Sequence, residues 1–195
     1  MEKTFLFSVI TSLTLLSCGG KGTTDDLAFF SLKGDVKKMD GVEFDQNGKI
    51  TRVGGYDPFA VEEPTRSFDE QTAAFTDIEK WTRDNSGRIC SQDAMEYHTV
   101  YVWDGSKIIR DTVYCEGQVW LDTYEYDGEG NVKKITSLSC EDNDGLKFEP
   151  DHTVEYIYKD FDSHKNWTKR VAKTTDAATN DTSEDEETRN IEYYN

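Results

Sequence analysis

The sequence predicts an all-β fold, an antiparallel meander of hairpins laid out in a single curved or open sheet. Three observations predict it. Aromatic residues make up 12% of the chain while the whole apolar set reaches only 35%. That is the balance of two-faced, partly solvated sheets, because aromatic rings favour pleated surfaces. Gly105, Gly117 and Gly130 recur at intervals of 12 and 13 residues, which leaves about eight residues per strand plus a turn. Side-chain character alternates: Tyr97, Thr99, Tyr101 and Trp103 share one face, and His98, Val100 and Val102 the other, a period of two with no helical period over three turns.

The chain opens on a signal. Lys3 precedes an uncharged run from Thr4 to Leu16, followed by the small Ser17 and then Cys18. The run is shorter than the roughly 20 apolar residues that span a bilayer, so residues 1–17 are expected to be a signal peptide. Leu15, Ser17 and Cys18 resemble the lipobox of bacterial lipoproteins. The resemblance implies that the Cys18 thiol is acylated with palmitate-type chains and becomes the new N-terminus. Gly19 to Asp26 is small and polar, so residues 18–28 are read as a lipid-anchored, flexible tether. Residues 29–195 then form a single domain.

Within that domain, structure is expected to begin near Phe29 and Phe30. Val42–Phe44 and Lys49–Val53 flank Asp45-Gln46-Asn47-Gly48, and Asn-Gly tolerates the positive φ of a tight hairpin turn. Residues 54–72, with Pro58, Pro64 and Glu62-Glu63, are read as an irregular insertion, and residues 69–80 as the start of a short helix. Trp81-Thr82-Arg83 is a strand that ends in the turn Asp84-Asn85-Ser86-Gly87. The expected strands after it are 95–103, 106–115, 118–127, 131–139, 152–159 and 166–173. Residues 174–187 carry six acids and almost nothing apolar, so they are expected to be an acidic mobile loop. Asn190–Tyr194 is expected to close the fold as a strand beside 166–173, since Ile191 and Tyr193 share a face.

Three segments echo one another. Tyr124-Glu125-Tyr126-Asp127-Gly128-Glu129-Gly130-Asn131-Val132-Lys133-Lys134-Ile135 is matched by Phe44-Asp45-Gln46-Asn47-Gly48-Lys49-Ile50 and by Tyr158-Lys159-Asp160-Phe161-Asp162-Ser163-His164-Lys165-Asn166-Trp167-Thr168-Lys169-Arg170. The plan is an aromatic, an Asp, a polar turn, Gly or Asn, then a basic strand. It resembles the YD repeat of the RHS family, and together with Asn166-Trp167-Thr168-Lys169-Arg170 and Arg189–Tyr194 it resembles small exported lipoproteins of Bacteroides-type bacteria. The resemblance implies β-hairpin repeats across most of residues 30–194 and supplies no chemistry. Lys165 stands where the repeat has Gly.

Composition and missing motifs narrow the function. A net charge of −17 argues against nucleic acid, which needs clustered Lys and Arg, and against docking on an anionic membrane by charge, so the lipid must anchor the chain. GxSxG, HExxH, P-loop and GxGxxG patterns are absent from the sequence, so no catalytic residue and no cofactor site is assigned. Cys90, Cys115 and Cys140 have no CxxC or Cys/His zinc spacing, so no metal site is assigned. All three are expected toward one end of the sheet, with Cys115 and Cys140 two strands apart, about 9.6 Å, too far for an unstrained bridge. Cys90 is then the better partner for either. His98, His152 and His164 are read as structural. Asp142–Gly145 and Asp127–Asn131 look like acidic turns, since neither completes an EF-hand. The aromatic set of Tyr97, Tyr101, Trp103, Trp120, Tyr124, Tyr126, Tyr156, Tyr158 and Trp167 is expected to form the core of the sheet; a sugar-stacking face is the other reading.

The expected protein is a cell-envelope lipoprotein, anchored by Cys18 and leaning toward the outer membrane because Gly19 and Gly20 carry no retention acid. It would be a non-enzymatic scaffold for a protein or glycan partner. The alternatives are an envelope glycan hydrolase using paired carboxylates and an acidic immunity or inhibitor lipoprotein.

Overall fold

A computed structural model describes residues 25–69, 74–141 and 147–195. The signal peptide, Cys18, residues 18–24 of the tether and the Asp142–Gly145 turn lie outside the described residues. What is described is all-β and antiparallel apart from one five-residue helix, α1 (Asp25–Phe29).

Three sheets form, where a single one is expected. A four-stranded sheet holds β1 (Val36–Met39), β2 (Val42–Phe44), β3 (Ile50–Val53) and the C-terminal β15 (Ile191–Tyr193), in the order β15-β1-β2-β3. A two-stranded ribbon pairs β4 (Thr65–Asp69) with β5 (Ala74–Ile78). The remaining strands are β6 (Lys80–Arg83), β7 (Ile89–Asp93), β8 (Tyr97–Asp104), β9 (Lys107–Cys115), β10 (Gln118–Tyr126), β11 (Val132–Glu141), β12 (Glu149–Phe161), β13 (Trp167–Asp176) and β14 (Thr182–Thr188). They form one nine-stranded meander in strict sequence order.

The reason for the split is apolar content. Val36, Met39, Val42, Phe44 and Ile50 are buried together with Leu27 and Leu32 against Trp81 and Ile89 of the meander. A strand added to the edge of one sheet would leave such a face in water, and each large side chain buried is worth about 1.5–3 kcal/mol. Phe29 and Phe30 of and after α1 fill the layer, with ring contacts to Trp81, Tyr101 and Phe44. The main core therefore sits at the β6–β8 end of the long sheet. Beyond it, β10–β14 carry few buried apolar residues, among them Val119, Cys140, Trp167 and Ala172.

Several expectations are corrected. The described part of 69–80 is strand where the start of a helix is expected, with Asp69 ending β4, Ala74–Ile78 forming β5 and Lys80 opening β6, and Thr65–Asp69 takes the second half of the 54–72 insertion into the β4–β5 ribbon. The acidic stretch 174–187 read as a loop is mostly strand, its start ending β13 and its second half forming β14, which pairs with β13 from Lys169↔Thr188 to Thr175↔Thr182. Its acids face a basic neighbour: Glu187 sits opposite Arg170 with Nη2 to Oε2 at 2.5 Å, and Glu186 meets Lys169 at 2.8 Å. Ile191–Tyr193 is a strand, but its partner is β1 and not β13, with Val36↔Tyr193 and Met39↔Ile191. The two ends of the described chain are thus joined in one sheet, where Ile191 and Tyr193 pack on the core. Cys115 and Cys140 flank β10, as expected, opposite Gln118 and Val119. Cys90 lies toward the other end of its strand, next to Ser91↔Val100, while Cys115 faces Tyr97 at the start of β8. Among the described residues, Cys90 and Cys115 are joined by no disulfide.

Four hairpin turns share one hydrogen-bond plan. In each, an Asp amide donates to the carbonyl four residues on, and the Asp Oδ1 accepts the amides two and four residues on: Asp45 with Asn47 and Lys49, Asp84 with Ser86 and Arg88, Asp127 with Glu129 and Asn131, Asp162 with His164 and Asn166. The fourth residue of each turn has positive φ: Gly48 (76°), Gly87 (83°), Gly130 (89°) and Lys165 (65°). The ladder shifts register beside every one of them.

Candidate functional site

A cleft of about 460 Å³ opens where β7 turns into β8. Ala94-Met95-Glu96 makes that connection, closed by the Ala94 amide donating to Tyr97 O at 2.9 Å. His98 pairs with Asp93 in register, and its Nδ1 lies 2.5 Å from Asp93 Oδ1. On the next strand, Tyr114 stands opposite His98, and the two rings are 6.0 Å apart at 32°. Glu63 and Pro64 from the insertion and Lys80 from β6 form the other wall. The loop is tied to β4 by Arg66, whose Nη1 donates to Glu96 Oε1 at 2.8 Å.

Two apolar side chains line this cleft in the open. Met95 is 59% exposed and Tyr114 45%. The carboxylates of Glu63, Asp93 and Glu96 surround them against the single ammonium of Lys80, which donates to Glu62 O. The arrangement is an aromatic face beside acceptor oxygens. It suits a polyhydroxylated ligand, whose C–H face stacks on a ring while hydroxyls donate to carboxylates. Sequence reading had passed over Tyr114 and Met95. Tyr114 sits on the opposite face from Asp111 and Val113, a parity that was available, but only the strand pairing brings it over the 93–98 turn.

The aromatic set read as sheet core is placed differently. Trp167 is buried, and the other eight are half-buried, of which only Tyr101 packs against the main cluster. Most spend their polar tips on cross-strand stitching: Tyr126 donates to Ile108 O at 2.7 Å, Tyr158 to Val132 O at 2.6 Å, and Trp103 Nε1 to Ile89 O at 2.8 Å. Trp167 meets two guanidinium groups, Arg170 at 4.1 Å and Arg189 at 3.8 Å from its centroid. These rings brace a sheet that has little second layer to lean on.

The other two histidines are held by neighbours. His152 Nδ1 lies 2.7 Å from Asp151 Oδ2, and His164 stacks on Tyr193 at 3.9 Å. One carboxylate pair is distinguished by position. Asp111 and Asp122 are directly opposed across β9 and β10, and Tyr124 Oη donates to Asp111 Oδ2 at 2.6 Å. Burial, with a lesser push from Asp122, raises the Asp111 carboxyl to about 6. With Asp111 only 5% exposed, a large substrate has no approach to it.

No protein-family model matches this chain, and no curated protein matches it significantly.

Proposed function

We propose that the protein is a non-enzymatic, lipid-anchored component of a bacterial cell envelope that binds a glycan in the cleft formed by Asp93–His98 and Tyr114. The observation that carries the reading is the exposed Tyr114 and Met95 pair set among Glu63, Asp93 and Glu96. Envelope location rests on the signal-like residues 1–17 and the Cys18 lipobox, with the acyl chains holding the chain at the membrane by about 0.8 kcal/mol per buried methylene. The YD-like reading of the hairpins is supported by the four turns of identical hydrogen bonding. Hairpins of this kind are architecture, and they hold the cleft on rigid strands.

Hydrolysis by paired carboxylates is the weaker reading. Its best-placed pair, Asp111 and Asp122, has the raised carboxyl a general acid needs, but lies under Tyr124 in the sheet.

Purified full-length protein in detergent, passed over immobilised envelope polysaccharide, is expected to be retained, and Tyr114→Ala is expected to elute unretained. Retention equal for both proteins contradicts the cleft. The appearance of new reducing ends in the polysaccharide contradicts the non-enzymatic reading.

A further inference from the structure

Among the described residues, five buried side-chain polar atoms have no hydrogen-bond partner, and three of them fall in a single row across the long sheet. They are Asp111 Oδ1, Asp122 Oδ1 and Ser137 Oγ. The register places them on three successive strands: Asp111 opposite Asp122, and Asp122 opposite Ser137. Directly opposed residues share a face, with Cβ atoms about 4.5–5.5 Å apart. Ser137 is 1% exposed, so its hydroxyl is buried on the same face of the sheet as the two carboxylates. Tyr101 stands opposite Asp111 in the same row, and its hydroxyl is committed to Gln92 Oε1. Tyr124, two residues from Asp122 on the same face, uses its hydroxyl on Asp111 Oδ2.

The imbalance is chemical. The row offers two carboxylates and a hydroxyl; Tyr124 donates to Asp111, and His152, which stands opposite Ser137, pairs its Nδ1 with Asp151 Oδ2. No Lys or Arg stands at the registered positions next to the pair, which are Tyr101 and Ser137. A buried carboxylate without a counter-charge is costly, and proteins resolve that cost with a partner ion, a proton or a metal. The upward push on Asp111 is the same lack seen from the proton's side. All of the open atoms are hard oxygens, the donor type that calcium takes and zinc or copper does not favour.

We infer that Asp111, Asp122 and Ser137 form a buried, oxygen-lined site for a small hard cation of the calcium class, set within the long sheet and separate from the cleft. Among the described residues no three His, Cys, Asp or Glu side chains converge on one point. Two carboxylates and a hydroxyl leave the remaining positions of a six- to eight-oxygen shell to water molecules carried in with the ion, which makes a weak site of the extracellular, millimolar kind. The cation's role would be to bind β9, β10 and β11 together where the sheet leaves the main core.

The test is terbium luminescence on the purified full-length protein in detergent, using Tb³⁺ as the probe and aromatic excitation. Trp120 and Tyr124 flank Asp122 on its face, so an ion held there is sensitised. Expected is a saturable emission that Ca²⁺ displaces, weakened at least tenfold in affinity by Asp122→Asn and reduced by Ser137→Ala, yet unchanged by Glu184→Gln with Asp185→Asn on the exposed edge strand. Should Asp122→Asn fail to keep the wild-type circular dichroism spectrum, Ser137→Ala alone decides. Emission that is absent, that survives both row substitutions, or that is lost with the edge-strand acids overturns the site and leaves the cleft untouched.

Discussion

At the scale of single residues, the fourth turn is the informative one. Gly48, Gly87 and Gly130 hold the left-handed position at no steric cost, whereas Lys165 holds it at φ 65°, where a side chain costs roughly 1–2 kcal/mol. Lys165→Gly is therefore expected to stabilise the protein, by up to about 1 kcal/mol once glycine's greater unfolded entropy is counted. Gly130→Ala should destabilise by a similar amount, for strain alone, since nothing lies within 4 Å of the added methyl. Urea melts of the two variants check both signs. Asp111 supplies the second residue-level prediction. Its folded carboxyl lies at about 6, above the ordinary 3.8, so its stabilising contribution is complete below pH 3.8 and is lost as pH rises through about 6. In the presence of a chelator, Asp111→Asn should then gain roughly 2–3 kcal/mol over wild type at pH 7.5 and only about 0.5 kcal/mol at pH 4. A gain of equal size at both pH values would place the effect elsewhere.

At the scale of elements, the turns and the meander were readable in the sequence and the sheet assignment was not. The expected strands 106–115 and 118–127 differ from β9 and β10 by a residue at most. Their period-two pattern and flanking Gly-containing turns are local signals. The acidity of residues 182–188 reads as disorder because its basic partners on β13, Lys169, Arg170 and Lys173, count only once the two strands are aligned. The same holds for β15, whose partner β1 is more than 150 residues away, and for Asp26. That residue is fully buried, bidentate to Arg83 at 2.5 and 2.8 Å, and accepts the Ile50 amide at 2.8 Å. No spacing rule links positions 26, 50 and 83. Asp26→Ala leaves the Arg83 guanidinium without its counter-charge and is expected to cost about 3–5 kcal/mol. Deleting residues 190–195 removes Ile191 and Tyr193 from the core and should cost about as much, at roughly 1.5–3 kcal/mol per buried side chain. Thermal melts of both should show large downward shifts.

At the scale of the whole molecule, the acids divide into two groups with opposite pH behaviour. In the turns, Asp45 and Asp84 are held below the usual carboxylate range chiefly by the Lys49 and Arg88 amides. Burial works against Asp127 and Asp162, but Asn131 and Tyr193 with the turn amides bring them below it too. Lowered groups contribute stability above the unfolded value of 3.8 and lose it as pH falls through their folded values. With Asp111 acting in the other sense, and a net charge of −17 repelling itself more strongly as pH rises, stability should peak at about pH 4–5 and decline on either side. Most proteins peak higher, between roughly pH 5 and 8. The acidic edge strand β14 fits the same picture, since like charge along an open edge discourages pairing with another copy. The candidate cleft also belongs to this scale. It is assembled from the insertion, β6, the 93–98 turn and β9, and no single stretch of sequence announces it.

Hydrogen exchange read by mass spectrometry, with and without envelope polysaccharide, tests the central claim most directly. Binding at the cleft predicts added protection in peptides covering residues 94–98 and 113–116, with the four Asp turns unchanged. Protection confined to the β12–β14 end of the sheet, or none at a saccharide concentration that retains the protein on the matrix, would contradict it.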